Sequence, residues 1–191
     1  MSLGRPWEKE YRILLAEVQQ KWGNKLSDED SAKADEALWS ILDPMSYPTF
    51  CGKREGKQIV VSFNADVLEL AVSRPLGVRL VIRPEGFVDR LLKRIMFWWE
   101  FQTGNPSFDR KFFVEDIRPK AARLVVRDRQ FQRLVEDLGP FVSLDLGERS
   151  VRGFFEIEDA SQLTIGYSDM RLGRLSKLAE HTAELVKKTQ Q

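Results

Sequence analysis

FQTGNPSFDRKFFVEDIRPKAAR, residues 101–123, stands between helices with one group of strands before it and a strand, a helix, a second group of strands and a last helix after it. Gly104 can take a positive φ and so suits a sharp reversal. Asn105 followed by Pro106 reads as a helix N-cap with proline at the first helical position, where its missing N–H costs nothing. A short turn over Ser107, Phe108, Asp109 and Arg110 is expected, with Asp109 near its positive end. Lys111 to Glu115 then reads as a strand. The plain reading of the stretch is a capped connector with its phenylalanines in the core. The sharper one is a binding loop of Asn105, Phe108, Asp109 and Arg123.

Working upstream, Phe87 to Phe101 carries Val88, Leu91, Leu92, Ile95, Met96 and Trp99 at helical spacing, with Arg90, Lys93 and Arg94 largely on the other side. A basic amphipathic helix ending in Phe97-Trp98-Trp99 fits a membrane-surface element through Arg90, Lys93, Arg94, Trp98 and Trp99. A helix packed on a sheet with a solvated charged face has the same pattern. Before it, β-rich runs alternate with turn residues. Phe50-Cys51-Gly52 leads to the polar turn Lys53-Arg54-Glu55-Gly56, and Gln58–Phe63, Val67–Val72 and Val78–Arg83 follow at short spacing. Short connections predict an antiparallel meander. Cys51 lacks a nucleophile signature and is expected to be a buried or half-buried thiol.

The chain opens on a helix whose apolar face is Trp7, Tyr11, Leu14, Leu15, Val18 and Trp22, closed by Gly23-Asn24. A second helix follows the acidic run Asp28, Glu29, Asp30, Asp35 and Glu36, where acids suit a first turn better than a metal loop. Downstream, Phe131, Leu134, Val135 and Leu138 form a helical face closed by Gly139-Pro140. Phe141–Leu146, a loop at Gly147–Ser150 and Val151–Ile157 read as a hairpin. Leu163–Tyr167 reads as a further strand, and a last helix buries Leu175, Leu178, Ala179, Thr182, Leu185 and Val186.

The 191 residues are 42% hydrophobic and 31% charged with net charge +1, ordinary values for a soluble globular chain. They fit a single α+β domain over 1–191: a helical pair at 6–43, a β-meander with a helix at 47–101, and a second β/helix half at 102–191. No global basic excess argues for nucleic acid. One cysteine rules out an internal disulfide and points to a cytoplasmic protein. No apolar run reaches the ~20 residues of a membrane span, so any membrane contact would be peripheral. No signal peptide is read at the start.

Phe108-Asp109, Phe112, Val114, Ala122-Arg123 and Val125 together resemble a run in uncharacterised bacterial proteins, the DUF3137-like group. That group carries Gly-Asp/Asn-x-x-Phe-Asp/Glu-x-x-Phe-x-Val with an Ala-Arg pair shortly after. The resemblance covers about Thr103 to Ile157 and implies a bacterial origin, with no activity or residue role. Members of the group often carry membrane spans, and no such span is read in this chain.

No phosphate-binding loop, dinucleotide fingerprint, zinc-protease motif, paired-cysteine motif or nucleophile elbow is present, and no cofactor or metal is implied. His181, the lone histidine, falls at the edge of the last helix's apolar face. The leading reading is a non-catalytic binding or scaffold protein for a protein partner or an anionic membrane surface. One alternative is a carboxylate enzyme around Asp109, with Glu115, Asp116, Arg110, Arg118 and Arg123 nearby, although alternation would split Glu115 from Asp116. Another is a secretion-chaperone-like partner binder, which would form a homodimer.

Overall fold

The computed structural model describes residues 7–23, 49–64, 66–85, 101–118 and 121–189. Seven strands form one antiparallel sheet: β1 (Phe50–Arg54), β2 (Lys57–Asn64), β3 (Val67–Ser73), β4 (Arg79–Pro84), β5 (Phe112–Arg118), β6 (Ser143–Leu146) and β7 (Ser150–Glu156). Helices stand at the N-terminus, α1 (Glu8–Trp22), in the centre, α2 (Pro106–Asp109), α3 (Ala121–Arg127) and α4 (Arg129–Asp137), and at the C-terminus, α5 (Ile165–Thr189). The fold is α+β. The second helix expected before residue 43 lies outside the described residues.

The strand order is β1-β2-β3-β7-β6-β4-β5, so the meander ends at β3, and Val78–Arg83, expected to continue it, pairs instead with β6 and β5. Glu55 and Gly56 both take positive φ, 51° and 78°, the twist that a two-residue hairpin needs between β1 and β2. Beyond β3 the chain runs past the β6–β7 loop. The Arg74 N–H donates to the Arg149 carbonyl at 2.9 Å and the Leu76 N–H to the Glu148 carbonyl at 2.8 Å. β4 then pairs with β6 on the far side of the hairpin and with β5 at the sheet edge. The hairpin of the second half is therefore inserted between strands of the first.

Alternation assigns the two faces. Ile59, Val61, Phe63, Leu68, Leu70, Val72, Leu80, Ile82, Leu144, Leu146, Val151 and Phe155 are buried on one face, in one hydrophobic core with the helices. At 25 cal/mol per Å², each such side chain contributes about 1.5–3 kcal/mol. On the other face Glu69 accepts from Ser62 Oγ at 2.9 Å and lies 3.8 Å from Arg152, and Arg83 pairs with Glu115. The same face also carries Val60, Ala71, Val81, Phe113 and Phe154, so it is mixed where the first is dry.

α5 crosses β3 and β7 on the dry face. Gly153 makes room for it: a Cβ there would meet the Phe155 ring at 2.7 Å and Leu175 Cδ2 at 3.3 Å. α1 rests on β1, and Tyr11, Leu14, Val18 and Trp22 are buried as their spacing predicts. Its helix begins at Glu8, after Trp7 in the left-handed region (φ 63°).

Two further expectations are corrected. Leu163–Tyr167 is not a strand. Asp159 opens a capping box over the 3-10 turn Ala160–Gln162, and the Thr164 hydroxyl then accepts from the Tyr167 N–H, so α5 starts at Ile165. The β-rich side chains are overridden by this local capping. Cys51 is exposed, because alternation on the edge strand β1 turns it away from the helices with Lys53. Desolvation by its neighbours still pushes the thiol pKa up.

Candidate functional site

Asn105 caps α2 as read: its Oδ1 accepts from the Ser107 N–H at 3.3 Å, with Pro106 in the first turn. Its Nδ2 also donates to Gln132 Oε1 at 2.7 Å, and Gln132, only 2% exposed, donates to the Val126 carbonyl at 2.9 Å. Asp109 Oδ1 accepts from the Thr103 N–H at 3.1 Å and the Thr103 hydroxyl at 2.7 Å, closing the loop at Gly104, where φ is +83°. Phe108 is fully buried, with its ring 4.8 Å from Phe112, which stacks at 5.6 Å on Phe141. Asn105, Phe108 and Asp109 are thus brought together, tied to Gln132 and Thr103 within the fold.

Arg123 stands apart from them. It is exposed on α3, its guanidinium 6.0 Å from the Phe101 ring, and Arg127 lies 5.2 Å from the same ring. Arg90, Lys93, Arg94, Trp98 and Trp99 lie outside the described residues. The other groups weighed for carboxylate chemistry are dispersed. Glu115 pairs with Arg83 on the sheet face away from α5, and Arg110 Nε donates to the Pro106 carbonyl at 3.1 Å. The side chains of Asp116 and Arg118 lie outside the described residues.

An open cavity of about 330 Å³ lies beside the loop, lined by Pro84, Lys111, Phe112, Glu136, Gly139, Pro140 and Phe141. Its wall is mostly apolar, and its two charges meet each other, Lys111 Nζ on Glu136 Oε1 at 2.8 Å. Asp109 is not part of this lining. No cluster of His, Cys, Asp and Glu fit to hold a metal occurs among the described residues. His181 is half-buried, and its Nε2 lies 2.7 Å from Asp128 Oδ1, which also caps α4 through the Phe131 N–H at 2.7 Å. Partial burial raises the Asp128 pKa, but the bonds from His181 and Phe131 outweigh it and hold the carboxyl below its ordinary range.

A feature that the sequence carried without its being singled out is the run Arg123, Arg127, Arg129 and Arg133. All four are exposed, and none forms an ion pair among the described residues. Each helix holds its two at i, i+4, where like charges repel by about 0.2–0.5 kcal/mol. Leu124, beside Arg123, is 55% exposed. The spacing in RLVVRDRQFQR was the available signal.

No family model matches the chain, and no curated protein sequence matches it. Its fold is similar to the crystal structure of the mycobacterial trehalose monomycolate transport factor A, TtfA, with a TM-score of 0.51 and 12% identity over 94% of this chain and 95% of that one. At that identity the likeness is one of fold. No described helix is long and apolar enough to cross a membrane.

Proposed function

We propose that the protein is a non-catalytic accessory protein that docks on an anionic membrane surface through α3 and α4. The observation that carries this is the set of exposed arginines, Arg123, Arg127, Arg129 and Arg133, without an ion pair among the described residues, beside exposed Leu124 and the arginine-flanked ring of Phe101. Helix surfaces that hold like charges one turn apart sacrifice helix stability, which an anionic partner recovers. Arginine with an apolar side chain beside it suits a headgroup region. The ties from Asp109 to Thr103 and from Asn105 to Gln132 give the loop a structural task, which favours an accessory role over carboxylate catalysis. The fold likeness to a transport factor is in keeping with such a role. A cytoplasmic setting and the kinship to DUF3137-like proteins belong to the same proposal.

Co-sedimentation with phosphatidylserine-containing vesicles tests it. Binding at low salt should fall as salt rises. Replacing Arg123 and Arg127 by Gln should weaken it roughly 30-fold, since each basic residue near such a surface contributes about 1 kcal/mol. No binding at low salt, or binding unchanged by the double substitution, rejects the membrane reading and leaves an acidic protein surface as the partner to test.

A further inference from the structure

Arg171 is 4% exposed, on the face of α5 that meets the sheet. Its guanidinium lies between two rings, 4.7 Å from Phe155 and 4.8 Å from Tyr167, and Nη2 donates to the Tyr167 hydroxyl at 2.9 Å. Nε and Nη1 have no acceptor among the described residues. Among the described residues no carboxylate lies within ion-pair distance of it. An arginine cannot discharge itself by losing its proton, and a buried, unpaired charge is heavily penalised. The aromatic faces offset part of this and leave the N–H edges of the group unused.

The surroundings add positive potential. Arg171 lies in the second turn of a 25-residue helix, and the N-terminal end of a helix favours anions. Ser168, one turn earlier and on the same side of that helix, is fully buried, and its hydroxyl also has no partner among the described residues. The C-terminal end of α4 faces the guanidinium and its dipole offsets part of the charge, but no described carbonyl there accepts from Nε or Nη1. Gly139 is where solvent comes close. It lines the 330 Å³ cavity, and a Cβ on it would come within 2.8 Å of Arg171 Nη1. The start of α5 is fixed from outside as well, with Glu17 accepting the Ile165 N–H at 3.3 Å and Asp169 held by Arg54 and Lys21 at 2.6 and 2.9 Å.

We propose that Arg171 and Ser168 form a buried binding site for a small oxyanion, a carboxylate or phosphate group that enters past Gly139. The guanidinium supplies the charge and the Nε and Nη1 donors, and the Ser168 hydroxyl supplies a neutral donor.

The test is thermal unfolding of the full chain in sodium phosphate, sodium acetate or sodium chloride at fixed ionic strength and pH, with the Arg171 Nε–H signal followed by NMR. At ten times its Kd, a bound anion should raise Tm by about 3–6 °C, saturably and above chloride. Phosphate acting alone assigns a phosphate group, and acetate acting alone assigns a carboxylate. Arg171→Gln should abolish the rise and Ser168→Ala should weaken it. Should Arg171→Gln fail to fold, the wild-type Nε–H shift and the Ser168→Ala titration carry the test. Neither anion acting saturably above chloride, no movement of the Nε–H signal, or an unchanged response in the variants overturns the site.

Discussion

Removing the Asp128 carboxylate should weaken the join between α4 and α5 by an amount that can be divided into two parts. Asp128 Oδ1 accepts the Phe131 N–H at 2.7 Å, so Asp128→Ala leaves an N-terminal donor of α4 uncapped, at about 1 kcal/mol. The same oxygen lies 2.7 Å from Nε2 of His181, whose side chain is 14% exposed, and loss of a hydrogen bond to a charged group at such a site costs about another 1 kcal/mol. Urea unfolding at pH 7 should therefore show Asp128→Ala about 2 kcal/mol less stable, a fall in Tm of roughly 4–8 °C for a chain of this size. Asp128→Asn keeps the cap and should lose only about 1 kcal/mol. The sign with pH follows from the lowered folded pKa of Asp128. Its stabilisation is present above the unfolded carboxyl pKa and is lost as pH falls through the folded value, so the wild type and Asp128→Ala should converge in acid. Equal losses in the Ala and Asn variants would refute the cap, and a double-mutant cycle with His181→Ala showing no coupling would refute the link between the helices.

Gly153→Val should destabilise the protein by about 2–3 kcal/mol, because the new side chain meets the Phe155 ring and Leu175 beneath α5; denaturant unfolding checks it. Asn105→Ala should cost about 1–2 kcal/mol, from the lost cap and the unpartnered amide oxygen of Gln132, and a cost below 0.5 kcal/mol on the scale of a free cap would argue that Gln132 is not held there. Cys51 should react with a thiol reagent in the folded protein without denaturant, more slowly than a free thiol because its raised pKa leaves less thiolate; a reaction that needs unfolding contradicts its exposure.

Much of the fold is readable because its causes are local. Asn105-Pro106 caps α2, Glu55-Gly56 turns β1 into β2, and the spacing of Tyr11, Leu14, Val18 and Trp22 sets the buried side of α1. Leu163–Tyr167 misleads because its side chains favour a strand while the capping residues Asp159 and Thr164 favour helix starts. Of the candidate loop, the Asn105 cap on α2 followed from sequence, but the bonds from Thr103 to Asp109 and from Asn105 to Gln132, 27 residues on, did not.

An α+β class, the hairpin succession of β1, β2 and β3 and the apolar faces of α1, α4 and α5 are legible in the residues, since side-chain period and capping act within a few residues, whereas the expected pairing of Val78–Arg83 with β3 was not met. The tertiary structure alone decided that the β6–β7 hairpin enters between β3 and β4, because pairing among strands far apart in the chain depends on which faces can be buried together. It alone decided that Arg171, one more charge in a helix when read in sequence, is buried between two rings with no carboxylate beside it among the described residues. A charge learns its environment only when strand and helix are packed, and at Arg171 that packing supplies two aromatic faces.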